Sequence, residues 1–104
     1  MKTLFLTLHK EAFEVMVTGE KNEEFRVDSE WVRSRLVGKL YDRIKFVNGY
    51  GKDKPFFICE NWGWLKVQED MTRRYSNGLS LEIKKGSFVI LLGDILEKGN
   101  LKEQ

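Results

Sequence analysis

Two changes of hydrophobic period between Thr3 and Val27 limit what this chain can fold into. Leu4, Leu6 and Leu8 alternate with polar or outward positions, the period of two that marks a half-buried strand. From Glu11 to Thr18 the apolar residues Phe13, Met16 and Val17 fall at i, i+3 and i+4, one face of a helix. Gly19 ends that helix, since glycine enters the left-handed conformation that closes a helix end at no Cβ penalty. Period two then returns over Glu23–Val27, with Phe25 and Val27 on one face and Glu24 and Arg26 on the other. Asp28 or Ser29 caps a second short helix through Leu36, with Trp31, Val32 and Leu36 as its apolar side.

The second half reads mainly as strand. Arg43–Val47 alternates around Ile44 and Phe46, Asn48-Gly49-Tyr50-Gly51 is a turn, and Phe56–Glu60 returns as the other arm of a hairpin. Asn61–Ser76 is polar and aromatic without a clear period. Leu79, Leu81 and Ile83 alternate, Lys85-Gly86 turns the chain, and Ser87–Leu92 forms a further strand that Asp94–Leu96 extends or follows. From Glu97 onward the chain is polar and reads as a frayed tail. The expected architecture is α+β: a small, mostly antiparallel β-barrel with two or three short flanking helices. It comprises one domain over residues 1–98 and a polar tail over 99–104.

A chain of 104 residues supports one hydrophobic core. With 41% hydrophobic and 33% charged residues it has the composition of a soluble globule, and no apolar run nears the ~20 residues of a membrane span. The amino terminus is too short and too alternating for a signal peptide, and the single Cys59 excludes an internal disulfide. No Cys/His cluster has metal-ligand spacing, so the expectation is a cytoplasmic protein with no metal, no cofactor and no membrane partner. The net charge of +2 does not by itself point to nucleic acid. From Trp31 to Lys54, however, seven bases face two acids, which suits either a phosphate-binding patch or a solvated face.

The chemistry concentrates where the first helix gives way to the next strand. Gly19, Lys21, Glu24 and Arg26 are spaced G-x-K-x-x-E-x-R. Residues two apart in a strand share a face, so Glu24 and Arg26 can pair and hold each other's rotamers. Lys21, at the entry to the strand, can reach the same place, and a lysine held among charges in a cleft is suited to acid/base work or to polarising a carbonyl. Alternatively, the three form a surface charge network of little energetic weight.

Leu4–Phe13, the helix that follows, and the Gly19, Lys21, Glu24, Arg26 motif together resemble the opening of an ASCH domain. Tyr41–Lys52 is similar to a phage and bacterial subgroup of that family. The resemblance implies the fold of PUA RNA-binding domains, a small β-barrel with helices flanking a cleft. It also implies RNA or a nucleotide-like small molecule as the partner, in a cleft lined by Lys21, Glu24 and Arg26. His9, the only histidine, has no evident serine or cysteine partner and suits the cleft rim. Tyr50, Trp62, Trp64 and Tyr75 are candidates to stack on a base, or else to pack the core. Asn48, Asn61 and Asn77 are candidates to bond a base edge.

Some small members of the family hydrolyse acylated cytidines with the motif lysine, a threonine and a distant glutamate. Here Lys21 matches, but Glu24 stands where those enzymes carry threonine. The amidohydrolase alternative therefore uses Lys21 to polarise a carbonyl and Glu24 as general base. Glu69, in a segment similar to the one that supplies the distant glutamate, or Glu60, would be the acid. A structural or partner-binding module, with the motif only bracing the barrel, is a third alternative. Cys59 reads as a small buried hydrophobe.

Overall fold

The computed structural model describes residues 2–101. The elements run β1 (Thr3–Leu8), α1 (Lys10–Val17), β2 (Glu23–Arg26), α2 (Glu30–Leu36), β3 (Arg43–Asn48), β4 (Phe56–Lys66), β5 (Met71–Arg74), β6 (Ser80–Ile83) and β7 (Phe88–Gly99). Five strands form one sheet in the order β1-β3-β4-β7-β2, while β5 and β6 make a separate hairpin. The β1–β3 pair is parallel and the other pairs are antiparallel. The α+β class and the two helices are as expected. The sheet itself is curled into a half-barrel and remains open, with β1 and β2 as its two edges. Across that opening the Arg26 guanidinium of β2 donates to the Thr7 carbonyl of β1 at 2.9 Å.

The curl comes from the two longest strands. The β4–β7 register slips between Ile58 and Cys59, again before Asn61, and again before Trp64. Each slip bends a strand and adds local twist. At the centre of this bend Gly93 lies beneath the Trp62 ring, and a Cβ there would displace the Trp62 indole and the Glu60 carboxylate.

Both helices pack on the sheet face carrying Leu4, Leu6, Ile44, Phe46, Phe57, Phe88 and Ile90. Burying side chains of this size contributes roughly 1.5–3 kcal/mol each. Alternate residues of β7 face the other way, where Val89 and Leu91 join Val67, Ile83, Phe25 and Leu81 and fasten the β5–β6 hairpin to the sheet. Burial on both faces explains why Phe88–Leu92 is continuously apolar.

Three expectations are corrected. β4 does not stop at Glu60 but runs to Lys66, and β5 lies within the stretch that shows no period. The chain does not fray at Glu97: Glu97, Lys98 and Gly99 pair with Ile58, Phe57 and Phe56 at the end of β7. Because this pairing is made by backbone, exposed polar side chains do not announce it. The last part of the expected 99–104 tail, residues 102–104, lies outside the described residues. In α2, Ser29 is the cap, its hydroxyl accepting from Val32 N–H at 3.2 Å. Val32 and Leu36 are buried there, but Trp31 is half exposed and lies against Arg35.

Candidate functional site

The end of α1 sets the position of the motif lysine. Gly19 has φ +89°, a conformation that L side chains avoid, and its N–H bonds Met16 O at 3.0 Å. The chain folds back so that Lys21 N–H reaches Val15 O at 2.9 Å. That bond turns the lysine inward, and only 2% of the residue stays exposed.

Lys21 Nζ sits among three acceptors. It donates to Glu24 Oε1 at 3.2 Å, to the Glu23 carbonyl and to Met16 Sδ at 3.6 Å, with the Phe25 ring centroid 5.4 Å away. An ammonium has three protons, so this environment uses them all. Burial holds the Lys21 ammonium below the usual lysine range, and the Glu24 carboxylate opposes that fall.

Glu24 is buried as well, and its two oxygens are divided between the cations. Oε1 takes Lys21, and Oε2 takes Arg26 Nε at 2.8 Å. The two-residue spacing in β2 thus produces the pairing read from the sequence. Glu24 acts as a clamp that fixes both cations, since each oxygen already holds one. Arg26 completes the chain of contacts by bonding Thr7 O across the sheet opening, with 24% of its side chain still exposed.

These residues form one wall of a cleft of about 610 Å³ between the sheet edges. Lys21, Glu24, Arg26, His9 and Tyr50, all expected at the site, border it, and so does Asn48. Tyr50 is 86% exposed on the β3–β4 turn, leaving its ring face open. Lys10 and the Leu81 side of the β5–β6 hairpin also border the cleft. Neither carried a signal in the sequence, since the hairpin reaches this position only through tertiary packing. Its tip is held there by Ser76 N–H to the Glu20 carboxylate at 2.8 Å and by Asn77 Nδ2 to Glu11 O at 2.9 Å.

Other expected residues lie elsewhere. Trp64 packs edge-on against Phe88, ring centroids 4.9 Å apart, and its indole N–H bonds Leu36 O. Trp62, 66% exposed, covers Gly93 at the β4–β7 bend. Glu69 is exposed in the link between β4 and β5 and does not border the cleft. Glu60 accepts from Asp94 N–H at 2.9 Å in the same bend. Tyr75, half buried near the hairpin tip, is not part of the cleft wall, and burial raises its hydroxyl above the usual range. Asn61 is committed to Tyr41 O and Gly63 N–H, and Asn77 to Glu11 O and Leu79 N–H.

Among the described residues no helix is long and apolar enough to cross a membrane. Compared with known protein families, characterised proteins and solved structures, the chain has no significant match.

Proposed function

We propose that this chain is an ASCH-type, PUA-like domain that binds RNA or a nucleoside-containing ligand in the cleft between its sheet edges. One observation carries the reading: Lys21, Glu24 and Arg26 form a fixed, buried-to-exposed relay on the wall of a cleft large enough for a nucleoside. An open aromatic face at Tyr50 and polar groups at His9 and Asn48 border the same space. Stacking on Tyr50 would supply affinity without sequence preference, while hydrogen bonds from the polar rim would supply discrimination. Lys10, Lys21 and Arg26 against the single acid Glu24 make the cleft cationic, which favours a negatively charged ligand.

Titration of the protein with short single-stranded RNAs at two salt concentrations tests this. Binding should weaken as salt rises and should drop at least fivefold in Tyr50→Ala with an unchanged melting temperature. RNAs that fail to bind at low salt, together with nucleosides that fail to bind at millimolar concentration, would remove the reading.

The amidohydrolase reading rests on one favourable feature, a buried Lys21 held below its ordinary pKa. The carboxylates it would need do not assemble. Glu24 is clamped by two cations, and Glu69 and Glu60 lie outside the cleft. Incubation with acylated cytidines should therefore release no cytidine.

A further inference from the structure

We infer that the ligand's recognised group is a phosphate, and that Arg26 is the residue that holds it. This deepens the nucleoside-binding reading and rests on it. Lys21 spends its three protons on Glu24, the Glu23 carbonyl and Met16, and its side chain is 1% exposed, so it presents nothing to a ligand. Lys21 is a positioning residue.

Arg26 is different. A guanidinium carries five N–H donors in a rigid fork. Nε is used on Glu24 and one donor of Nη2 on Thr7 O, which among the described residues leaves three donors on a side chain already locked at both ends. A fork held this way, with its remaining N–H groups uncommitted, matches two oxygens of one phosphate group. The Lys21–Glu24–Arg26 group keeps one net positive charge for it.

The position of Arg26 favours the same ligand. A second depression of about 420 Å³ lies beside the main cleft, and the two share Phe25, Arg26, Val27 and Leu81 as common wall. Arg26 therefore belongs to the wall that the two spaces share, with Lys10 bordering one and Lys85 and Lys84, the latter 3.9 Å from the Asp70 carboxylate, bordering the other. Of the acids on the second side, Asp28 is neutralised by Lys66 and Arg33, each at 2.8 Å, which leaves Glu82. A phosphate seated on Arg26 would place its nucleoside in the larger space against Tyr50 and any continuing chain in the smaller one. A free nucleotide and an RNA phosphodiester share this chemistry.

The test compares equilibrium binding of the four common ribonucleosides, their 5′-monophosphates and the corresponding dinucleoside monophosphates. Wild-type protein should bind a monophosphate at least tenfold more tightly than its nucleoside, and Arg26→Gln should erase that advantage while nucleoside binding persists. Lys84→Ala/Lys85→Ala, which changes exposed side chains, should leave the monophosphate unaffected and weaken a dinucleoside monophosphate if the natural source is RNA. Unchanged dinucleotide binding would assign the site to free nucleotides. Equal binding of nucleosides and monophosphates by the wild type would overturn the inference and leave the nucleoside reading standing. Absence of binding by all three ligand classes would overturn both. Should Arg26→Gln lose its fold on thermal melting, Arg26→Lys, which keeps the charge but not the fork, takes its place and should lose most of the same advantage, whereas an undiminished advantage would remove Arg26 from the role.

Discussion

Replacing Glu24 with glutamine strands a buried ammonium. Among the described residues the carboxylate is the only counter-charge in contact with Lys21 Nζ, and the lysine is almost fully enclosed. Breaking a buried ion pair by removing one partner costs about 3–5 kcal/mol. Glutamine keeps one acceptor oxygen, so Glu24→Gln belongs at the lower end of that range. At roughly 4–8 °C per kcal/mol for a domain of this size, the melting temperature should fall by about 12 °C or more.

The loss should depend on pH in a defined direction. Burial already holds Lys21 below its ordinary value, and the Glu24 charge limits that fall. Between the folded-state value and the unfolded lysine value of about 10.4, the unfolded chain binds more protons, so stability rises with pH. Without Glu24 the window widens downward and the penalty at neutral pH grows. Urea denaturation of wild type and Glu24→Gln at pH 7 and pH 9.5 should therefore show a deficit that shrinks at the higher pH. The double variant Lys21→Met/Glu24→Gln, which removes the stranded charge, should be more stable than Glu24→Gln alone. A pH-independent deficit, or a double variant less stable than the single one, would show that Lys21 is not a buried cation held by Glu24.

Three further outcomes follow from the fold. Trp64→Ala should cost up to about 3 kcal/mol in urea denaturation because it removes the half-buried ring packed against Phe88, whereas exposed Trp62→Ala should cost under about 1 kcal/mol. The Cys59 thiol is enclosed and pushed up to about 12, first by burial and then by the nearby Glu60 charge, so it should resist alkylation at pH 8 until denaturant is added. Glu69→Gln should leave ligand binding within twofold of wild type by titration, since that side chain lies outside the cleft.

The elements with one clean period were legible in the sequence: β1, α1 with its glycine stop, and the capped start of α2 all follow from local pattern and capping chemistry. The pairing of Glu24 with Arg26 was legible for the same reason, because strand geometry puts residues two apart on one face. The second half of β4 was not. Its register against β7 slips repeatedly, and Asn61 turns its side chain onto Tyr41 O and Gly63 N–H, so the alternation that marks a strand is erased. The end of β7 was hidden differently, by exposed side chains on a backbone-paired strand. At the site, Lys21 looked like a side chain reaching into a cleft. Its enclosure depends on Met16 behind it, on Phe25 beside it and on the backbone turn to Val15, which spacing alone does not encode. Trp62 and Trp64 could each have stacked on a ligand or packed the core, and the register shift between Asn61 and Trp64 and the glycine beneath Trp62 separate their fates.

The most direct test of a nucleoside-binding cleft between the sheet edges is an amide chemical-shift map recorded while a nucleoside monophosphate is titrated into labelled protein. Shifts should concentrate at Thr7–Lys10, Phe25–Val27 and Asn48–Tyr50 and leave the Trp62 face still. Shifts centred on Trp62 and the β4–β7 bend, or none at saturating ligand, would place recognition elsewhere or remove it.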